Sequence, residues 1–213
     1  MIHSYKKTSS IKDFKKTEAQ LGILERKAPV EADLFFKKLY KFPFSIIGSV
    51  SQFRAEEDIQ NLLKDKIPED IQFHPFYKKW IIDMSEICLI FCALQEKENI
   101  SFWLGTKRGC KRFHVDMVPF RLLVTYAGKG TELLPNHGAD RKAFINGKPN
   151  EEIVKDKSTI KFLNKWDIAV FRGGDRGILH RTPNSALNKK SSILMRLDDL
   201  SFWDKINKME NII

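Results

Sequence analysis

The periodicity of the chain changes once, near Asn99. Before that point apolar residues recur at three-and-four spacing along 32–40, 55–66 and 76–98, the interval that gathers them on one side of a helix. Pro29, Pro43, Pro68 and Pro75 punctuate these runs. The third, containing WIIDMSEICLIFCAL, is apolar around most of its circumference and predicts a helix buried against something large. After Asn99 the runs are short and β-rich: 100–104, 112–116, 120–126, 168–172, 177–180 and 192–197. Turns rich in Gly, Pro and Asn separate them. Many short strands of this kind predict a sandwich or jelly roll.

The expected fold class is therefore α+β, with N-terminal helices packed on a C-terminal jelly-roll barrel. Four stretches follow: a flexible, basic N-terminal tail over 1–20, a helical part over 21–98, the jelly-roll core over 99–201, and a C-terminal tail over 202–213. The first 20 residues are assigned to a tail because they are polar and Lys-rich, with no apolar stripe long enough to pack. There is no internal repeat and no GxGxxG, P-loop or nucleophile elbow.

Composition narrows the class. The 213 residues are 42% hydrophobic and 30% charged, the balance of a globular domain. No secretory signal pattern opens the chain, and the most apolar run, 87–94, is too short to span a bilayer. The expectation is a cytoplasmic protein without a membrane partner. Three Cys argue against a disulfide framework; Cys88 and Cys92 read as small hydrophobes of the third helix, and Cys110 as a loop thiol. The formal net charge is +10, spread over scattered Lys pairs. That keeps a basic nucleic-acid-binding module open as an alternative, although no RNP-like strand or zinc-finger spacing accompanies it.

Candidate chemistry lies in Arg112-Phe113-His114-Val115-Asp116 and in Gly177-Ile178-Leu179-His180-Arg181-Thr182-Pro183. On a strand, residues two apart share a face, so His114 and Asp116 project together and a neighbouring strand can add His180. Two imidazoles and a carboxylate on one side of a cation, with other positions open, form the donor set of non-haem Fe(II) oxygenases. The same residues also read as structural histidines and a turn aspartate.

CKRFHVD, RLLVTYAGKGTELLP, Asp140-Arg141, WDIAVFRGG, GILHRTP and ILMRLD resemble, in that order, the bacterial family named domain of unknown function 1826. The arrangement of HxD, a distal His and an Arg on the last strand is also similar to the Fe(II)/2-oxoglutarate dioxygenases, whose core is a double-stranded β-helix. That resemblance implies His114, Asp116 and His180 as metal ligands, Fe(II) and 2-oxoglutarate as cofactors, and hydroxylation or demethylation of a small-molecule or macromolecular substrate. It implies Arg196 as the clamp on the far carboxylate of the oxo acid, with Arg121 and Arg181 as rivals, although on a regular strand Arg181 points to the opposite face from His180; the bland role for Arg196 is a salt bridge to Asp198 or Asp199. Tyr126 is a candidate donor to the oxo acid, or a core residue. Glu132 is a candidate acceptor for a ligand His, or a loop carboxylate. The competing reading is a cupin-like protein that holds Zn without catalysis, since His and carboxylate donors suit Zn equally.

Overall fold

The fold, taken from a computed structural model, is described for residues 1–187 and 192–201. The first half carries strand β1 (Ile2–Tyr5), a 3-10 helix (Thr8–Lys16), strand β2 (Leu21–Leu24), helix α1 (Ala32–Leu39), strand β3 (Ser45–Ser51) and helices α2 (Ala55–Lys64), α3 (Glu69–Gln72) and α4 (Pro75–Gln95). The second half carries strands β4 (Asn99–Gly105), β5 (Phe120–Gly128) and β6 (Glu132–Leu134), and short helices α5 (Arg141–Ile145) and α6 (Asn150–Ile153). Strands β7 (Lys161–Phe162), β8 (Ile168–Arg172), β9 (Leu179–Arg181) and β10 (Ser192–Asp199) complete it.

The architecture is mixed α/β around a large sheet. Among the described residues seven strands form that sheet in the order β1-β2-β8-β5-β10-β4-β3, and three form a second in the order β7-β6-β9. An isolated antiparallel bridge between His114 and His180 lays the 112–116 segment beside β9.

Alternation along the central strands divides the large sheet into two chemically different faces. Ile100, Phe102 and Leu104 of β4, Leu122, Val124 and Tyr126 of β5, and Met195 and Leu197 of β10 join α1 and α4 in one core. Each such burial is worth roughly 1.5–3 kcal/mol. The intervening residues Trp103, Arg121, Leu123, Leu194 and Arg196 line a cleft on the other face. Helix α4 is fixed at both ends. His74 Nδ1 accepts from the Phe76 amide at 3.1 Å, and Pro75 occupies the first turn, where a missing N–H costs nothing. Glu96 ends it in the left-handed region at φ 55, its amide donating to the Cys92 carbonyl. No described helix is long and apolar enough to cross a membrane.

Three expectations need correction. Residues 1–20 are no tail: β1 pairs in parallel with β2, and the following 3-10 helix buries Ile11 and Phe14. Those two, three apart, fall on one side of so tight a helix, while Lys12 between them stays in water. The 21–98 stretch is not wholly helical, since β2 and β3 both belong to the large sheet. The 112–116 segment is no regular strand; only His114 pairs, and Asp116 lies in coil. Residues 202–213, expected as a C-terminal tail, lie outside the described residues.

Candidate metal centre

His180 sits in the middle of β9, and its backbone fixes His114. The His114 amide donates to the His180 carbonyl at 3.0 Å, and the His180 amide returns the bond at 2.9 Å. The imidazoles meet with centroids 4.4 Å apart. Asp116 is positioned differently, by the turn after β8. The Gly174 amide donates to the Asp116 carbonyl at 2.8 Å. A Cβ on Gly173 would lie 1.8 Å from the Val118 carbonyl oxygen and 2.6 Å from that of Asp116, so only glycine lets the two segments approach this closely.

The result is one cluster: a ring nitrogen of His114, a carboxylate oxygen of Asp116 and a ring nitrogen of His180 all lie within 4.8 Å of one another. The tautomers follow from the partners. His114 Nδ1 faces the Arg112 carbonyl at 3.0 Å and His180 Nδ1 faces the Ile178 carbonyl at 3.1 Å. A carbonyl only accepts, so Nδ1 carries the hydrogen in both rings and Nε2 keeps its lone pair. Burial pushes the His180 imidazole down to about 4, against the opposing pull of Asp116. It is therefore neutral near pH 7.

Asp116, 2% exposed, gives its two oxygens different surroundings. Arg121 donates to Oδ1. Among the described residues Oδ2 has no hydrogen-bond partner, and it stands 3.4 Å from His180 Nε2. Two lone-pair atoms facing each other in a buried site repel, and an unpaired buried carboxylate oxygen is costly. A cation between them removes both penalties, so the residues present fit a bound metal.

The arginines continue the network. Arg121 Nε donates to Asp198 Oδ1 at 2.6 Å, and Arg196 Nε lies 3.0 Å from Asp198 Oδ2. Asp116 and Asp198 hold the Arg121 guanidinium above its usual pKa although burial opposes this. Arg196 is lowered by burial, in part offset by Asp198. Arg121, Arg181 and Arg196 all line the cleft with His114 and His180, so the structure brings all three candidates for the clamp to the triad, Arg181 included although strand parity turned it away. Arg196 also makes the expected salt bridge to Asp198.

Two candidate roles are overturned. Tyr126 points to the opposite face of β5, packed against Phe36, Trp80 and Trp166, and its hydroxyl donates to Asp83 Oδ2 at 2.8 Å; it cannot reach an oxo acid in the cleft. Glu132 serves neither histidine, and instead receives Arg181 at 2.8 Å. Sequence reasoning missed Arg108, which lines the cleft from the loop after β4.

Fold and site thus define a mixed α/β protein with a buried His–Asp–His cluster beside a basic cleft. The chain belongs to the family described as "Protein of unknown function (DUF1826)", which it matches over residues 6–198. Among curated proteins no significant match is found. Three solved structures are similar at low identity. A dioxygenase for auxin oxidation from rice is 10% identical over 90% of this chain and 76% of its own, with a TM-score of 0.46. A bsmA homolog from Methylobium petroleophilum PM1 is 10% identical over 91% and 93%, with a TM-score of 0.42. A full-length Neurospora crassa protein in complex with alpha-KG is 10% identical over 90% and 77%, with a TM-score of 0.35. None reaches a TM-score of 0.5, and the chemistry of the site rests on this chain's own side chains.

Proposed function

We propose that the protein is an Fe(II)- and 2-oxoglutarate-dependent oxygenase built on a double-stranded β-helix. One observation carries this reading: Asp116 Oδ2 is buried without a hydrogen-bond partner among the described residues, beside two imidazoles whose Nδ1 atoms are already bonded to carbonyls. The chain's own topology supports the fold. From β4 onward it passes back and forth between the large sheet and the smaller one, with the 112–116 segment, the consecutive pair β6 and β7, and β9 on the smaller. N-terminal helices then cover the outer face of the large sheet.

His114, Asp116 and His180 would hold the metal, and the carbonyls of Arg112 and Ile178 orient the two rings, as partners of ligand histidines commonly do. With Fe(II) and the oxo acid bound, dioxygen would be the oxidant: decarboxylation of 2-oxoglutarate to succinate would supply two of its electrons and a substrate C–H bond the other two. Arg121 holds Asp116 by Oδ1, which leaves Oδ2 turned to His180 Nε2. Arg196 offers a planar guanidinium for the far carboxylate of 2-oxoglutarate, and Asp198 sets its tilt. Three protein ligands beside an open cleft suit a catalytic ion better than a four-ligand structural zinc site.

The test is titration of the anaerobic Fe(II) protein with 2-oxoglutarate, following metal-to-ligand charge-transfer absorption, then succinate release on adding oxygen. Arg196→Met should leave iron binding nearly intact and weaken oxo-acid binding by about 2–5 kcal/mol. A wild type with tightly held metal but neither band nor succinate at saturating oxo acid would overturn the oxygenase reading and leave a zinc-holding protein in its place.

A further inference from the structure

The cleft measures about 120 Å³, and its charge is one-sided. Its charged lining residues are Lys107, Arg108, Arg121, Arg181 and Arg196, with no carboxylate among them. Three of these cations are matched by acids behind the lining: Arg121 by Asp116 and Asp198, Arg196 by Asp198, and Arg181 by Glu132. Lys107 and Arg108 have no carboxylate partner among the described residues.

Arg108 is the unusual one. It is only 8% exposed, and a buried cation without a counter-ion is expensive. One terminal nitrogen donates to the Lys129 carbonyl at 3.0 Å and the other to Thr131 Oγ1 at 2.9 Å, while Nε has no hydrogen-bond partner among the described residues. Neutral acceptors therefore aim the guanidinium without discharging it. Burial lowers it to about 10, which still leaves it a cation near pH 7. Beside it, a Cβ on Gly109 would meet nothing within 4 Å, so the loop leaves open space at this point.

A divalent metal and an oxo-acid dianion would together add no net charge, so the surplus of Lys107 and Arg108 would persist in the loaded cleft. We propose that the substrate is a small anionic molecule whose carboxylate or phosphate group is received by Arg108 with Lys107. As a statement about the substrate this rests on the oxygenase reading; as an anion site it stands by itself. The small volume of the cleft suits a small molecule, and an oxyanion is the group that a guanidinium and an ammonium jointly recognise.

The experiment uses the full chain stripped of metal and free of oxo acid, so that the oxygenase reading does not enter. Inorganic phosphate and, separately, acetate are titrated in at constant ionic strength against chloride, with the arginine Nε–H resonances followed by 1H–15N spectroscopy. The expected result is a saturable shift with at least one of them, with Kd on the order of 1 mM; the tighter arm names the group. Arg108→Met should weaken that binding at least tenfold. Lys107→Met alters an exposed side chain, so its fold is safe, and it should weaken binding several-fold. In the anaerobic Fe(II) protein, Arg108→Met should keep the charge-transfer band of bound 2-oxoglutarate. A response no greater than that to chloride, or unchanged affinity in both variants, overturns the site. Loss of the 2-oxoglutarate band in Arg108→Met would overturn it too, by making Arg108 the oxo-acid clamp. Saturable phosphate or acetate binding without any such band in the wild type would uphold the anion site while the oxygenase reading fell.

Discussion

The two faces of the large sheet each meet a carboxylate paired with an arginine, half-buried Asp83 on one and buried Asp116 on the other, and they use them to opposite ends. On the helix side, Asp83 is closed off: Arg26 meets both its oxygens, at 2.5 and 3.3 Å, and the Tyr126 hydroxyl adds a third bond at 2.8 Å. On the cleft side, Asp116 receives Arg121 on one oxygen and keeps the other unpartnered. The first arrangement is a finished structural pin between α4, β5 and the segment after β2. The second is unfinished by one positive charge. The difference teaches that a buried ion pair says little about function by itself; the atom left without a partner says more.

The widest separation between the faces should come from deleting the unfinished group. Asp116→Ala removes one of three ligands and should lower Fe(II) or Zn affinity by more than about 100-fold, since even loss of a residue supporting a ligand costs 10–100-fold. Equilibrium dialysis against metal buffers measures this. The variant should remain folded without metal, because it also removes the unpaired oxygen. An Asp116→Ala protein that binds metal like the wild type would falsify the assignment of the triad.

The next effect tests the helix side at its margin. Phe14 is fully buried, its ring 5.9 Å from that of Phe120 and 5.2 Å from the Arg172 guanidinium. Arg172 in turn binds the carbonyls of Thr17 and Ala19. Phe14→Ala should destabilise by about 3–5 kcal/mol, read by urea unfolding, with metal affinity unchanged. A loss below about 1 kcal/mol would restore the first 20 residues to the status of a tail.

Why that segment misleads is physical. Ile11 and Phe14 are two apolar positions in a Lys-rich stretch, too few to register as a stripe although sufficient to anchor one turn. The strand LGIL of β2 is similarly too short to distinguish from a helical run. The triad was legible because metal chemistry restricts its donors to a few residue types and because HxD places two of them together. The misplacement of Tyr126 was avoidable: Arg121 and Tyr126 are five apart on one strand, so strand parity puts them on opposite faces. Arg108 was illegible, because it lies in a loop where no periodicity says which way a side chain points. The role of Gly173 was hidden for another reason, since the close approach of Val118 and Asp116 is a tertiary contact.

A smaller effect sharpens the contrast from the cleft side. Arg121→Met strips Asp116 Oδ1 of its donor while leaving the three ligands in place. Metal affinity should fall 10–100-fold, or about 1.4–2.7 kcal/mol. The metal-free variant should also lose stability, because Asp116 is then a buried charge with less compensation. Added metal should restore part of that loss, since it binds the native state and neutralises the same carboxylate. Thermal unfolding with and without Zn would show the recovery; equal losses under both conditions would mean that Arg121 serves packing alone.

The smallest expected change comes from Tyr126→Phe, and it bears on the finished pair. The substitution keeps the ring among Phe36, Trp80 and Trp166 and deletes a single hydrogen bond. Asp83 retains both contacts to Arg26, so no carboxylate is orphaned and the full penalty of an unpaired charge is not incurred. A bond to a charged acceptor is worth about 1.5–3 kcal/mol, and the surviving arginine puts this case at the lower end. For a chain of this length that corresponds to a fall in Tm of about 3–6 °C. Affinity for metal and for 2-oxoglutarate should not change, because the hydroxyl lies on the other side of β5 from the cleft. Weaker oxo-acid binding in Tyr126→Phe would mean that the two faces communicate through β5, and that the closed pair helps to set the open one.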